Sequence, residues 1–476
     1  MIFNSFFVHD PHAYLRRFHG QHHAEAHHVS LSGLSARLSG GGGTERAAGF
    51  LRRTCAEHGE ASACIASDAR FYWLAQGKEE NRCCAGGTCC TAEGEAAGTL
   101  GKNAEGRGSN PIEVLSTCLA LIEIVNSCNL SCPTCYADSP IGIGSKVDAV
   151  PMSEIRQRVD GVIARKGKIE ILQLSGGEPT LHPQLIELCQ WVKQHPKIDF
   201  MLLNTNGVRL AKEPQLCQQL GEVFRDGGMQ VYLQFDGVQE AGQSALRGAD
   251  LRAIKSAALA NLAAVNIPVT LAMTVTRDNL PHLWETIRFG LNDHNIHGLT
   301  FQPEFLSGRN RATDPASPPR VEGPEMPQRL NTADIIIAAV EQSGGKLRFE
   351  DFTPLPCGDP NCATIGYLIR KGDHVWHVSD FLDFTQLQGF LQNKVQYTLA
   401  DLAKCGCDNE PLGELLHTLE QTRSMAFRLM VKPFMDAWSW DEDRIDRCCT
   451  HIIRPDGKLD SFCRYYSGFP DTRTAL

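Results

Sequence analysis

From Leu121 onward, short apolar runs alternate with longer stretches in which apolar residues recur every three to four positions, the pattern of parallel strands joined by helices. The predicted strands are LIEIVN from Leu121, IEILQL from Ile169, FMLLNT from Phe200, QVYLQF from Gln230, PVTLAMTV from Pro268 and GLTFQP from Gly298. Between them, Ser153 to Lys166, Pro183 to Gln194, Pro214 to Arg225, Leu251 to Val265 and Leu280 to Asp293 carry helical spacing. Six such units are too few for a closed eight-fold barrel, so the fold class expected over residues 121–305 is α/β, a partial (β/α)6 TIM-like barrel.

The flanks have a different texture. Residues 1–54 hold seven histidines between His9 and His28 and then a Ser- and Gly-rich run, and are expected to form a disordered leader. Residues 55–120 are a Cys-rich module with Cys55, Cys64, Cys83, Cys84, Cys89, Cys90 and Cys118, broken by glycines, in which little regular structure is expected. Residues 306–476 begin with a Pro- and Arg-rich connection (Arg309 to Pro327), continue through a helix near Thr332 to Gln342, and carry a second set of cysteines. The 476 residues thus suit two or three units rather than one core.

Composition narrows the function. A formal charge of -9 without a basic patch gives no footprint for nucleic acid. No apolar run is long enough to span a bilayer and the first residues do not read as a secretion signal, so the expected location is the cytoplasm, with peripheral membrane contact left open. In that reducing compartment 19 cysteines are better read as metal ligands than as a disulfide framework.

Directly after the first predicted strand the chain reads CNLSCPTCYA, placing Cys128, Cys132 and Cys135 in a loop at the mouth of the barrel. Three thiolates on a four-iron cluster leave one iron open to an exogenous ligand. The competing reading is a zinc knuckle, which needs a fourth Cys or His that residues 136–145 do not supply. At the end of the second strand stands SGGEPTL, covering Gly176, Gly177, Glu178 and Pro179. Further strand ends carry Asn204, Asn206, Gln234, Asp236 and Thr274, polar groups where cofactor or substrate contacts belong; for Asn206-Gly207 and Asp236-Gly237 a plain turn role is the equal alternative. In the C-terminal part, Cys357, Cys362, Cys449 and Cys463 are the preferred set for a second metal site, with Cys448 as alternate and Cys405 and Cys407 more remote; Cys189 and Cys217, inside helices, read as core thiols.

With the triplet and the glycine motif one βα unit apart, the chain resembles the radical S-adenosylmethionine (SAM) superfamily from Leu121 to about Pro303. The resemblance implies a [4Fe–4S] cluster on Cys128, Cys132 and Cys135, SAM bound through the open iron, and backbone of Gly176, Gly177 and Glu178 contacting the SAM amino group, where a side chain would block the approach. It further implies Tyr136 near the adenine, with Pro179, Asn206, Gln234, Asp236 and Thr274 as further cofactor contacts. Together with PLPCGDPNC and CCTHIIRPDGK, the longer run STCLALIEIVNSCNLSCPTCYADSP resembles, within that superfamily, the group containing tetraether lipid synthase and pterin-dimethylating enzymes. That narrower likeness implies one or more auxiliary [4Fe–4S] clusters, an electron donor such as ferredoxin or flavodoxin, and hydrogen abstraction followed by carbon–carbon bond formation or methylation on a lipid or pterin. Members of the group begin with a paired metal knuckle, of which only RTCAEHGE around Cys55 and His58 is visible in this chain. The alternatives are a peptide maturase, a cyclisation enzyme of the molybdenum-cofactor type with auxiliary clusters, and a zinc-bound scaffold without catalysis.

Overall fold

A computed structural model describes residues 48–55, 59–72, 119–309, 329–355, 359–371, 374–380, 425–436 and 439–467. The histidine-rich leader up to residue 47, His58, Cys357, Cys405, Cys407 and most of the N-terminal cysteines lie outside the described residues. The chain opens with an antiparallel hairpin, β1 (Gly49–Cys55) and β2 (Gly59–Ala66), where the sequence suggested little regular structure.

The six expected strands follow as β3 (Leu119–Val125), β4 (Ile169–Gly176), β5 (Ile198–Thr205), β6 (Met229–Gln234), β7 (Val269–Val275) and β8 (Ile296–Pro303), each parallel to the next. The connecting helices include α1 (Met152–Lys166), α2 (Leu185–Gln194), α3 (Pro214–Val223), α4 (Glu240–Arg247), α5 (Arg252–Ala263) and α6 (Leu283–Leu291). Alternation along the strands settles which face is which. Ile122 and Ile124 of β3, Leu172 and Leu174 of β4, Met201 and Leu203 of β5, and Val231 and Leu233 of β6 are buried in the core shared with the helices, so the residues between them face the lumen.

The arc does not stop at six strands. After α7 (Thr332–Gln342), capped by Asn331 with a reciprocal Asp334 bond, come β9 (Phe352–Pro354), β10 (Thr364–Lys371), β11 (His374–His377) and β12 (Met425–Val431). The short helix α8 (Glu442–Asp446), β13 (Thr450–Ile453), β14 (Leu459–Ser461) and α9 (Phe462–Ser467) complete the described chain. Strand β12 pairs parallel to β8, and β13 pairs parallel to β3. The order β12-β8-β7-β6-β5-β4-β3-β13 is therefore eight parallel strands, flanked by antiparallel β10, with β11 beyond it, and by antiparallel β14. Across the opening, Lys432 Nζ, one residue beyond β12, donates to Thr450 Oγ1 of β13 at 2.9 Å. The partial barrel expected from six units is thus extended at both edges by the C-terminal region. No helix among the described residues is long and apolar enough to cross a membrane.

Candidate active site

Cys128, Cys132 and Cys135 lie half-buried in the loop leaving β3, at the carboxyl ends of the strands. Backbone bonds fix both ends of that loop. Cys128 N donates to Pro140 O at 2.8 Å, and Cys135 exchanges bonds with Arg309, just past β8, at 2.7 and 2.9 Å. Two side chains from deeper in the barrel reach the sulfurs. Asn206 Nδ2 lies 3.8 Å from Cys128 Sγ and donates to Asn129 Oδ1 at 2.7 Å, while Arg247, the last residue of α4, hydrogen-bonds Cys132.

Arg247 is held by Asp236, whose carboxylate accepts from its Nε at 2.6 Å and from its Nη2 at 2.9 Å, and also from Thr274 N at 3.0 Å and from Gln234 Nε2. Burial works against the guanidinium charge, but Asp236 outweighs it and holds Arg247 above its ordinary value. Beneath this pair, Lys255 of α5 is fully buried and donates to Asn206 O at 2.6 Å and Gln234 Oε1 at 2.9 Å; burial pushes it down to about 8. Asn206, Gln234, Asp236 and Thr274, expected from the sequence, are therefore brought together, and Asp236 and Asn206 do far more than shape turns. Arg247 and Lys255 were not expected, because a lone Arg or Lys in an amphipathic helix has the sequence appearance of a solvated face. Since Asp236 is buried and Arg247 nearly so, Arg247→Leu strands a carboxylate. It should lower stability in urea titrations of the metal-free protein by about 3–5 kcal/mol, and a loss under about 1 kcal/mol would show that water already shares the pair.

The glycine motif packs against the thiol loop. Gly177 N donates to Val125 O at 2.7 Å and Glu178 N to Ser127 O at 3.0 Å, so these residues have carbonyl oxygens rather than N–H groups to offer an ammonium. Gly176 has φ of +122°, and a Cβ there would stand 2.1 Å from Val125 O; at Gly177 it would stand 2.2 Å from Ser127 O. The Glu178 side chain is spent internally, accepting from Thr180 Oγ1 at 2.5 Å, Thr205 Oγ1 at 2.7 Å and Asn206 N at 2.8 Å. It ties the β4 loop to the end of β5. Pro179, buried, starts the turn that follows.

Tyr136 turns toward the C-terminal segment, its ring 4.7 Å from Tyr466 and 5.4 Å from Phe462 of α9, and its hydroxyl bonds Ser175. Tyr465 and Tyr466 both donate to Glu123 of β3, at 2.9 and 2.8 Å.

A second thiol group surrounds that segment. Cys448, Cys449 and Cys463 are buried and Cys362 half-buried, and Cys362 and Cys448 each lie close enough to the other three for their charges to interact. Met435 N donates to Cys463 Sγ at 3.3 Å, Arg444 Nη2 lies 3.8 Å from Cys362 Sγ, and Lys432 faces Cys448, Cys449 and Cys463. Cys448, an alternate in the sequence, stands with Cys362, Cys449 and Cys463, while Cys189 and Cys217 sit in the helix-side core as expected.

Among the described residues no three Cys, His, Asp or Glu side chains converge tightly enough to hold a single metal ion. Burial pushes Cys128 up to about 12 and also raises Cys132, while Cys449 and Cys463 rise to about 11 for the same reason. Arg247 beside Cys132, and Lys432 facing Cys448, Cys449 and Cys463, work against that rise. Replacing Cys362 and Cys463 together by Ala should lower iron by one increment beyond the barrel-mouth site and loosen residues 439–467 to limited proteolysis; full wild-type iron would show that these are plain core thiols.

Residues 122–290 match the radical SAM superfamily. The 7,8-dihydro-6-hydroxymethylpterin dimethyltransferase of Methanocaldococcus jannaschii is 26% identical, over 87% of this chain and 88% of its own. The GTP 3′,8-cyclase of Chlorobaculum tepidum is 31% identical over 21% of this chain and 29% of its own. Among solved structures, Streptococcus suis SuiB aligns with a TM-score of 0.33 at 14% identity, covering 41% of this chain and 42% of that one.

Proposed function

From the premise that the barrel over residues 122–290 is a radical SAM domain, we propose that this enzyme abstracts hydrogen from its substrate and transfers a one-carbon unit to it or joins two carbons, on a pterin or a lipid. The observation that carries the reading is the loop of Cys128, Cys132 and Cys135, fixed at both ends and backed by Asn206 and Arg247. Cys128, Cys132 and Cys135 would hold a [4Fe–4S] cluster, which with SAM would supply radical-initiating redox chemistry at the mouth. The chain's own residues do the rest. Arg247 steadies Cys132, the Glu178 carboxylate locks the glycine loop against β5, and Tyr136 and Tyr466 close one side of the mouth. Carbonyl oxygens of Gly176, Gly177 and Glu178 would receive the SAM amino group, and Asn206, Gln234, Asp236 and Thr274 lie within the same cradle.

The near-full-length likeness to a pterin dimethyltransferase supports methyl transfer over cyclisation. Cys362, Cys448, Cys449 and Cys463 would hold an auxiliary cluster, and an electron donor such as ferredoxin or flavodoxin would feed the site. The test is mass spectrometry of pterins and lipids from cells with and without the gene. Methylated pterins or coupled lipid chains that vanish with the gene support the reading; unchanged pterin and lipid pools overturn it.

A further inference from the structure

A barrel whose interior is filled has apolar side chains interlocking in layers. This one differs. On the lumen face, between the helix-packed positions, stand Glu123 of β3, Ser175 of β4, Asn204 of β5, Tyr232 of β6, Gln302 of β8 and Arg428 of β12. Five of the six are only half-buried although they point away from bulk solvent, so they are not fully covered by protein. Contacts that skip a strand confirm the inward direction: Gln302 Nε2 donates to Tyr232 Oη at 3.1 Å across β7, and Arg428 Nη2 donates to Gln230 Oε1 at 3.2 Å across β8 and β7. The Tyr232 hydroxyl also hydrogen-bonds Thr300 of β8, and burial pushes it up to about 12. Asn204 donates to Ser175 Oγ at 3.1 Å and accepts from Gln173.

Toward β3 and β13 the lining is aromatic, and it touches the polar set through Tyr136 to Ser175 and through Tyr465 and Tyr466 to Glu123. Leu121, Phe305, Ile452 and Phe462 form a buried cluster with Tyr136 and Tyr466 against it, and Phe434 stacks on Phe462 at 4.1 Å. The lining therefore offers amide and phenol hydrogen-bonding edges toward β5, β6 and β8, with aromatic side chains toward β3 and β13. An amide side chain has four hydrogen-bonding positions, and the bonds to Tyr232, Ser175 and Gln173 use only part of that capacity on Gln302 and Asn204. Paired amide donors and acceptors match the edges of nitrogen heterocycles in the way Asn and Gln read nucleobases. An alkyl chain in the same place would strip water from these groups and return no hydrogen bond.

We propose that the lumen binds a flat, polar, nitrogen-rich ring, its edge read by Tyr232, Gln302 and Asn204 and its face set against the aromatic side chains, and that an extended alkyl chain is excluded. The inference rests on the radical SAM reading and decides between its two substrate classes. Its test is equilibrium binding to the anaerobically reconstituted full chain with SAM held at saturation, so that the adenine of SAM does not report. The probes are 7,8-dihydro-6-hydroxymethylpterin, guanosine and a dialkyl glycerol ether in detergent. At least one ring probe should bind saturably and the ether should not. Gln302→Leu should weaken ring binding about 10-fold or more, matching the loss of one bidentate contact. Tyr232→Phe, which removes one oxygen and keeps the ring, should weaken it by several-fold and covers the case in which Gln302→Leu misfolds. No saturable ring binding, saturable ether binding, or ring affinity unchanged in a folded variant would overturn the proposal. Failure of the wild type to form 5′-deoxyadenosine would instead strike the radical SAM reading, so the two failures are separable.

Discussion

Replacing Cys128, Cys132 and Cys135 together by Ala should remove one cluster's worth of iron and abolish reductive cleavage of SAM, while the C-terminal thiols keep theirs. The two thiol groups lie on different segments, the first in the loop after β3 and the second around β13 and α9. The barrel-mouth loop is fixed by main-chain bonds to Pro140 and Arg309 that do not involve sulfur, so truncating the three side chains removes ligands without releasing the loop. Iron analysis with electron paramagnetic resonance of the reduced protein reads the result. The variant should lose the signal that responds to added SAM and retain the remainder. Full iron, or a SAM-responsive signal in the variant, would place the radical cluster elsewhere.

The second large effect belongs to Gly177→Val. From sequence alone, a side chain here threatens only the approach of SAM. The structure shows a nearer obstacle, since a Cβ would stand 2.2 Å from Ser127 O and 2.5 Å from Ser127 C, both backbone atoms of the residue before Cys128. The chain must move by about 1 Å to restore van der Waals contact. That shift disturbs the bonds from Gly177 N to Val125 O and from Glu178 N to Ser127 O. Iron at the barrel mouth and SAM binding should therefore fall together, with SAM cleavage down about 100-fold or more, as misplacement of this size produces. A variant with full iron that loses only SAM affinity would return the glycine to a purely cofactor-facing role.

The barrel was legible because each strand and its helix are written locally, in runs of matching period. Helix α7, expected at Thr332 to Gln342, occupies those same residues. The edges were not legible for a physical reason. Strand β12 finds its partner β8 more than a hundred residues back along the chain, and β13 finds β3 farther still, so no local pattern announces that either joins the barrel. At the site, Cys128, Cys132 and Cys135 and the glycine motif stood out by spacing. Arg247 and Lys255 did not, because ALRGAD and RAIKSA read as ordinary helix surface and only the packing of α4 and α5 beneath the mouth buries them. Glu178 was expected at the cofactor, yet its carboxylate is consumed in holding β4 to β5, a role visible only once the strand ends are side by side.

Radical SAM chemistry at the mouth of this barrel predicts a single diagnostic reaction. Anaerobically reconstituted wild-type protein is mixed with SAM and dithionite, and the products are separated by chromatography. 5′-Deoxyadenosine and methionine should form in equal amounts, and only when the reductant is present. Protein that carries full iron and binds SAM, yet forms no 5′-deoxyadenosine under reduction, would contradict it.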